Sequence, residues 1–249
     1  MAQMMKAAVF VAPGRIALTD KPIPDVGLND ALIKITTTSC GTDVHILKGE
    51  YPVEKGLTVG HEPVGVIVKL GSAVTGDQEG QRVIAGARLK GATTIIAVDG
   101  NDHRLGIGRT LGADVTLNFN QVDVVEEVLK LTGGKGADSA IEALGTQQTF
   151  ESAMRCIRAG GTLSSLGVYS TDLKIPLGPF GAGLGDHRIN TALCPGGKER
   201  MRRLMNVIAS QRLDLGVLVT HERRLDDIVE AYDLFANQRD GVLKIAIKP

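Results

Sequence analysis

Two textures of apolar and polar positions follow one another along the chain. In residues 1–87 the apolar runs are short and broken by turn residues. They are 6–12 (KAAVFVA, closed by Pro13-Gly14), 31–37 (ALIKITT), 63–70 (PVGVIVKL, ending at Gly71) and 81–85 (QRVIA). Short strands separated by Gly and Pro predict a small β-rich, barrel-like domain. From Arg88 onward strand and helix patterns alternate. Strands are predicted at 94–98 (TIIAV), 114–118 (DVTLN), 138–143 (DSAIEA), 162–168 (TLSSLGV), 188–193 (RINTAL) and 242–247 (VLKIAI). Helical spacing covers 102–111, 122–131, 147–158, 198–210 and 226–237. Near-continuous apolar strands alternating with helices predict parallel strands covered on both faces. The pattern therefore predicts two domains, 1–87 and 88–249. The second is a doubly wound α/β domain closed by the C-terminal segment.

Composition narrows the class. The 249 residues carry 28 Lys+Arg against 28 Asp+Glu, for a formal charge of zero. A general nucleic-acid binder would show a basic excess, and the absence of Trp removes stacking platforms for single strands. No apolar run approaches the roughly 20 residues needed to span a bilayer. The start, MAQMMKAAVF, lacks a basic segment followed by a long apolar one. Three cysteines, Cys40, Cys156 and Cys194, form no even framework and no C-x-x-C pair, which predicts a reducing, cytoplasmic setting.

Two groups of residues carry candidate chemistry. Asp99 ends TIIAV and precedes Gly100 and a helix. A carboxylate at the tip of a second strand accepts hydrogen bonds from adenosine ribose hydroxyls and repels a 2′-phosphate, which favours NAD over NADP. The alternative is that Asp99 only caps the following helix. The glycine fingerprint such a fold needs should lie about 20 residues upstream, between a strand and a helix, and no G-x-G-x-x-G is there. Residues 86–93 are too few for a phosphate turn and a full helix. Gly106-Ile107-Gly108 lies after the acid, inside a helical segment, and reads as a decoy. The second group is Cys40-Gly41-Thr42-Asp43-Val44-His45 with Gly60-His61-Glu62. Cys40 and His61 offer sulfur and imidazole to zinc, whose catalytic sites take three protein ligands and one open position. Thr42 has a hydroxyl able to relay an alcohol proton, and His45 is placed to pass it to solvent. The alternative is a buried structural Cys and a turn His.

Together these residues resemble the zinc-dependent alcohol dehydrogenases of the medium-chain dehydrogenase/reductase superfamily. The match is carried by CGTDVH (40–45), GHE (60–62), IIAVD (95–99), LGAD (111–114), LTGGKGAD (131–138), GGTLSSLGV (160–168) and ALCPGGKERMRR (192–203). The last is similar to the branch acting on secondary alcohols and ketones. The resemblance implies a GroES-like N-terminal domain and a Rossmann-like sheet. It implies catalytic zinc at Cys40 and His61, with Glu62 as adjacent or alternate ligand, and proton relay through Thr42 onward to His45. It places NAD against Asp99, the turn at Ala143, Leu144 and Gly145, and the strand end at Leu166, Gly167 and Val168. Lys244 is placed near the cofactor phosphates. The implied partners are a small alcohol or ketone and further copies of the chain, as a homodimer or homotetramer.

The sequence departs from the family between Ala87 and Arg88, where a member carries on the order of 100 more residues. That stretch holds the structural zinc lobe, the third catalytic zinc ligand, the first strand of the cofactor domain and its glycine-rich turn. The missing strand is the central one of the ordinary order. Its neighbours must pair with each other, or QRVIA must fill the gap. Two functional readings stay open. One is hydride transfer between a secondary alcohol or ketone and NAD. The other is a catalytically inactive shortened paralogue or deletion product that at most oligomerises.

Overall fold

The computed structural model describes residues 3–28, 30–39, 41, 43–60, 62–73, 82–84, 94–192, 197–211 and 214–249. The chain divides into two compact units. One is Met1–Gly86 with Gly196–Pro249, and the other is Ala87–Pro195.

In chain order the first unit begins with β1 (Met4–Ala12), β2 (Arg15–Pro22), β3 (Ala31–Ser39), α1 (Asp43–Leu47), β4 (Val64–Leu70) and β5 (Arg82–Ile84). The second holds β6 (Ile96–Asp99), α2 (Asp102–Thr110), β7 (Val115–Asn118), α3 (Val124–Leu131), β8 (Ala137–Glu142), α4 (Gln147–Cys156), β9 (Ile157–Ser165) and β10 (Arg188–Thr191). The chain then returns to the first unit with α5 (Lys198–Ala209), β11 (Val219–Arg224), α6 (Ile228–Ala236) and β12 (Lys244–Lys248).

In the first unit β1 and β2 form an antiparallel hairpin turned at Pro13-Gly14, where Gly14 takes φ +77°. A five-stranded sheet runs in the order β11-β12-β3-β4-β5. Its core gathers Phe10, Ile16 and Val44 with Ile228, Tyr232, Ile245 and Ile247. On β12 the apolar residues alternate, so Ile245 and Ile247 share one buried face. That face finds its apolar partners on β1, α1 and α6. Residues 196–249 therefore group with the N-terminal segment, not with the alternating segment that the sequence pattern assigned them to.

The second unit keeps the parallel pairing expected of a doubly wound fold, but in two pieces. β6 pairs with β7, and β8 pairs with β9, which pairs with β10, all in parallel. Placed side by side, β7-β6 and β8-β9-β10 reproduce the ordinary strand order with the central strand left out. Neither expected repair occurs among the described residues. β6 and β8 share no ladder, and β5 pairs antiparallel with β4 in the first unit. Packing holds the pieces together instead. Leu117, Val128 and Cys156 form a cluster with Ile96, Val115 and Ala137, the last three lying at the amino ends of β6, β7 and β8. The Gly106-Ile107-Gly108 run lies inside α2, as its helical setting predicts.

Candidate functional site

The candidate group of the first unit lies where β3 ends. Cys40, Thr42 and His61 lie outside the described residues, and their neighbours carry the geometry. Thr38 donates from its hydroxyl to the Gly60 carbonyl at 3.2 Å. The Gly60 N–H donates to Oδ2 of buried Asp43 at 3.2 Å. A Cβ on Gly41 would stand 3.7 Å from both Glu62 carboxylate oxygens. The residues flanking Cys40 thus pack on the residues flanking His61, although some twenty positions separate the two motifs.

His45, on α1, shares a hydrogen bond between its Nδ1 and Glu50 Oε2, and its ring meets Tyr51 edge-on at 6.3 Å. Burial and the neighbouring Glu50 charge both push the Tyr51 phenol up from its ordinary pKa. The Lys244 ammonium donates to Glu62 Oε2. The register explains the meeting, because Ala246 on β12 stands opposite Ser39 at the end of β3. Lys244, two residues earlier, falls beside the loop that β3 enters.

Cys and His are donors that suit zinc, so the residues fit that metal in kind. Among the described residues no group of three His, Cys, Asp or Glu side chains is placed to hold a metal ion.

The candidate group of the second unit lies, by itself, at the carboxyl ends of the parallel strands, where doubly wound sheets bind ligands. Asp99 closes β6. Its Oδ1 accepts from the Asn101 N–H at 2.8 Å and from Arg104 Nη2 at 2.7 Å, and Arg104 Nε lies 3.0 Å from both carboxylate oxygens. The helix cap is Asn101, whose side chain accepts from the His103 and Arg104 amides. The bland reading of Asp99 as the cap of α2 therefore fails.

Residues 143–145 leave β8 and residues 166–168 leave β9, and the two turns touch. A Cβ on Gly145, at φ +91°, would lie 2.2 Å from the Val168 carbonyl oxygen. One on Gly167 would lie 2.2 Å from the Gly145 nitrogen. Only residues without side chains allow this approach. Leu144, Leu166 and Val168 stand exposed around it.

Glu142, within DSAIEA, holds these turns, and it is not among the site residues that the sequence pattern indicates. It is buried. Its Oε1 accepts from the Leu144 and Gly145 amides at 2.8 Å each and from the Thr149 hydroxyl at 2.9 Å, and its Oε2 accepts from the Tyr169 hydroxyl at 2.6 Å. Its backbone carbonyl accepts from the Leu166 N–H at 2.7 Å. Burial alone would raise its pKa, but the donors from Tyr169, Gly145, Leu144 and Thr149 outweigh burial and hold it below the usual carboxylate range. Burial, with the bond to Glu142, pushes Tyr169 up to about 12. The available signal was an acid at a strand's carboxyl end two residues before a Leu-Gly turn, the same placement that drew attention to Asp99.

A family model described as zinc-binding dehydrogenase matches residues 80–210, and one described as alcohol dehydrogenase GroES-like domain matches residues 27–129. An alcohol dehydrogenase of Cupriavidus necator is 54% identical over 365 aligned positions that take in 100% of both chains. The chain belongs to the zinc-dependent alcohol dehydrogenases. A further relative, an NADP-dependent isopropanol dehydrogenase of Entamoeba histolytica, is 24% identical, with 98% of this chain and 96% of that one covered. Among solved structures, zinc-dependent alcohol dehydrogenase 2 from Streptococcus pneumoniae shares the fold at TM-score 0.87 and 22% identity, covering 99% of this chain and 98% of that one.

Like other zinc-dependent alcohol dehydrogenases, this chain joins a GroES-like part to a Rossmann-like part, as the resemblance implied. The family implies zinc and a nicotinamide dinucleotide. The 365 aligned positions exceed the 249 residues present, so the Cupriavidus necator relative carries a long stretch with no counterpart here. Among the described residues no helix is long and apolar enough to cross a membrane.

Proposed function

We propose that this chain is a shortened dehydrogenase whose remaining residues are those for hydride transfer between a secondary alcohol or ketone and NAD. The observation that carries the reading is the packing of the Cys40 flank on the His61 flank, through Gly41 on Glu62 and Asp43 on Gly60. Cys40 and His61 would hold the zinc, with Glu62 as adjacent or alternate ligand. Zinc at such a site polarises an alcohol or ketone oxygen and lowers the alcohol pKa. Thr42 takes the alcohol proton and His45, braced by Glu50, passes it to solvent. Asp99 accepts from the adenosine ribose, and the turns 143–145 and 166–168 form the floor for the rest of the dinucleotide.

Asp99 supports NAD as the favoured nucleotide, because a carboxylate repels a 2′-phosphate. Arg104 on the same carboxylate narrows that preference by cancelling part of its charge.

Turnover by the chain alone is expected to be slight. The glycine-rich turn that would present backbone N–H groups to the pyrophosphate is missing, and one zinc ligand is missing with it. This gap also favours a second reading, a non-catalytic remnant, since β6 and β8 share no ladder. Fluorescence titration with NADH, followed by steady-state assay with secondary alcohols, zinc and NAD, separates the two. Saturable NADH binding with weak turnover supports the dehydrogenase reading. No binding supports the remnant. Turnover in the ordinary range of about 1–1,000 per second would overturn the expectation of a crippled site.

A further inference from the structure

We propose that the open edges of β6 and β8 form an acceptor for a β-strand supplied in trans by an intact member of the same family.

Among the described residues β6 bonds only to β7, and on its other side β8 faces no strand, since its ladder runs to β9 alone. Among the described residues each strand thus has one edge of backbone N–H and C=O groups without a ladder partner. Natural edges are guarded by lysine, proline or a bulge. The segments here, IAVD and ADSAIE, contain neither lysine nor proline, and the register shift in β8 lies at its amino end, between Ala137 and Ser139.

The flanking side chains are those of interior strands. Ile141, in β8, is 72% exposed, and Val98, in β6, is 45% exposed. In a doubly wound sheet such positions are covered on both faces. Ile96, Val115 and Ala137, at the amino ends of β6, β7 and β8, share one cluster. The two sheets are therefore tied at one end while both inner edges stay open.

The occupant follows from length and order. β7-β6 and β8-β9-β10 are the ordinary sequence of strands with its central member left out. The Cupriavidus necator relative aligns over 365 positions against the 249 residues here, so it owns a stretch that this chain lacks. An apolar strand of about five residues, parallel to both neighbours, would satisfy the two edges and cover Val98 and Ile141. Strand addition of this kind draws affinity from main-chain hydrogen bonds and selectivity from alternate side chains. The chain would then act as a partner that engages its intact relatives while their subunits fold.

The test uses the full chain and, as probe, a soluble carrier bearing the stretch of the Cupriavidus necator enzyme that has no counterpart here. A one-to-one complex is expected, with slowed amide hydrogen exchange in residues 96–99 and 137–142. Val98→Lys with Ile141→Lys, both at exposed positions, is expected to weaken binding about tenfold or more while leaving the circular dichroism spectrum unchanged. No complex, protection confined to other strands, or binding untouched by the two lysines would overturn the proposal. Dimerisation of the chain through the same amides, without the probe, would also overturn it by naming a second copy as the occupant.

Discussion

Lys244 donates to the carboxylate of Glu62 across 182 positions of sequence. β12 lays its Ala246 opposite Ser39 at the end of β3, and this register carries Lys244 to the loop that holds Glu62. A residue expected on the cofactor and a residue expected beside the metal are thereby joined to each other.

The pairing bears on zinc. Protein purified without added metal is expected to hold well under one equivalent. On the proposed role of Glu62 as a zinc ligand, Lys244→Ala removes an ammonium that would compete with the metal for its carboxylate. Zinc affinity, measured by competition with a chromophoric chelator, is expected to rise by about tenfold, the scale on which partners of metal ligands act. Unchanged or weaker affinity would show that Glu62 takes no part in holding zinc.

Asp99 and Arg104 set the nucleotide preference against each other. Asp99→Gly removes the repulsive carboxylate and releases the guanidinium to a 2′-phosphate. The ratio of NADPH to NADH affinity is expected to rise about tenfold or more, which corresponds to about 1.4 kcal/mol. Arg104→Ala is expected to move the ratio the other way. Fluorescence titrations with both nucleotides check each direction, and tighter NADPH binding by the unaltered chain would contradict the role given to Asp99.

Glu142 ties ionisation to stability. Its pKa is lowered in the folded state. Its contribution is therefore full above the unfolded carboxylate value of about 4.3 and is lost as pH falls through the lower folded value. Glu142→Gln is expected to cost about 1–3 kcal/mol at neutral pH, because donors from Leu144, Gly145, Thr149 and Tyr169 lose their carboxylate. In urea melts the gap between the two proteins narrows on acidification. Tyr169 acts at the other extreme. Its raised pKa adds stability below about 10 that is lost as pH rises towards about 12. Tyr169→Phe removes this alkaline slope.

Two glycines separate backbone conformation from crowding. Gly134 and Gly145 both have positive φ, at +78° and +91°. A Cβ on Gly134 meets nothing within 4 Å, whereas one on Gly145 meets the Val168 carbonyl oxygen at 2.2 Å. Gly134→Ala is expected to cost about 1–2 kcal/mol from conformation alone. Gly145→Ala is expected to cost more and to displace the turn at 166–168. Thermal melts rank the two, and equal losses would show that the turns yield without strain.

Cys156 is a simpler case. Burial, with the nearby Asp123 charge, pushes its thiol up to about 11. It is expected to resist thiol reagents in the folded protein and to react once the chain unfolds.

Much of the fold was legible because the signals are local. The short apolar runs KAAVFVA, TIIAV and VLKIAI mark strands wherever they lie, and the spacing in 122–131 and 198–210 marks helices. The lack of a G-x-G-x-x-G before Asp99 points by the same local logic to the absence of a phosphate turn there. Strand partnership is not local. VLKIAI carries the same pattern whether it closes a parallel sheet or joins β3, and only the apolar face offered by Phe10, Val44 and Tyr232 decided for the first unit. The pairing of Lys244 with Glu62 followed from that choice of sheet. Glu142 escaped notice because a buried carboxylate needs several donors. Two of these come from the turn after β8, one from α4, and one from Tyr169 beyond β9. Chain order alone therefore established the kinds of element and the family motifs, and led to the expectation of a break between Ala87 and Arg88. Packing and long-range hydrogen bonds decided which elements share a sheet, and left β6 and β8 each with an edge that faces no strand among the described residues.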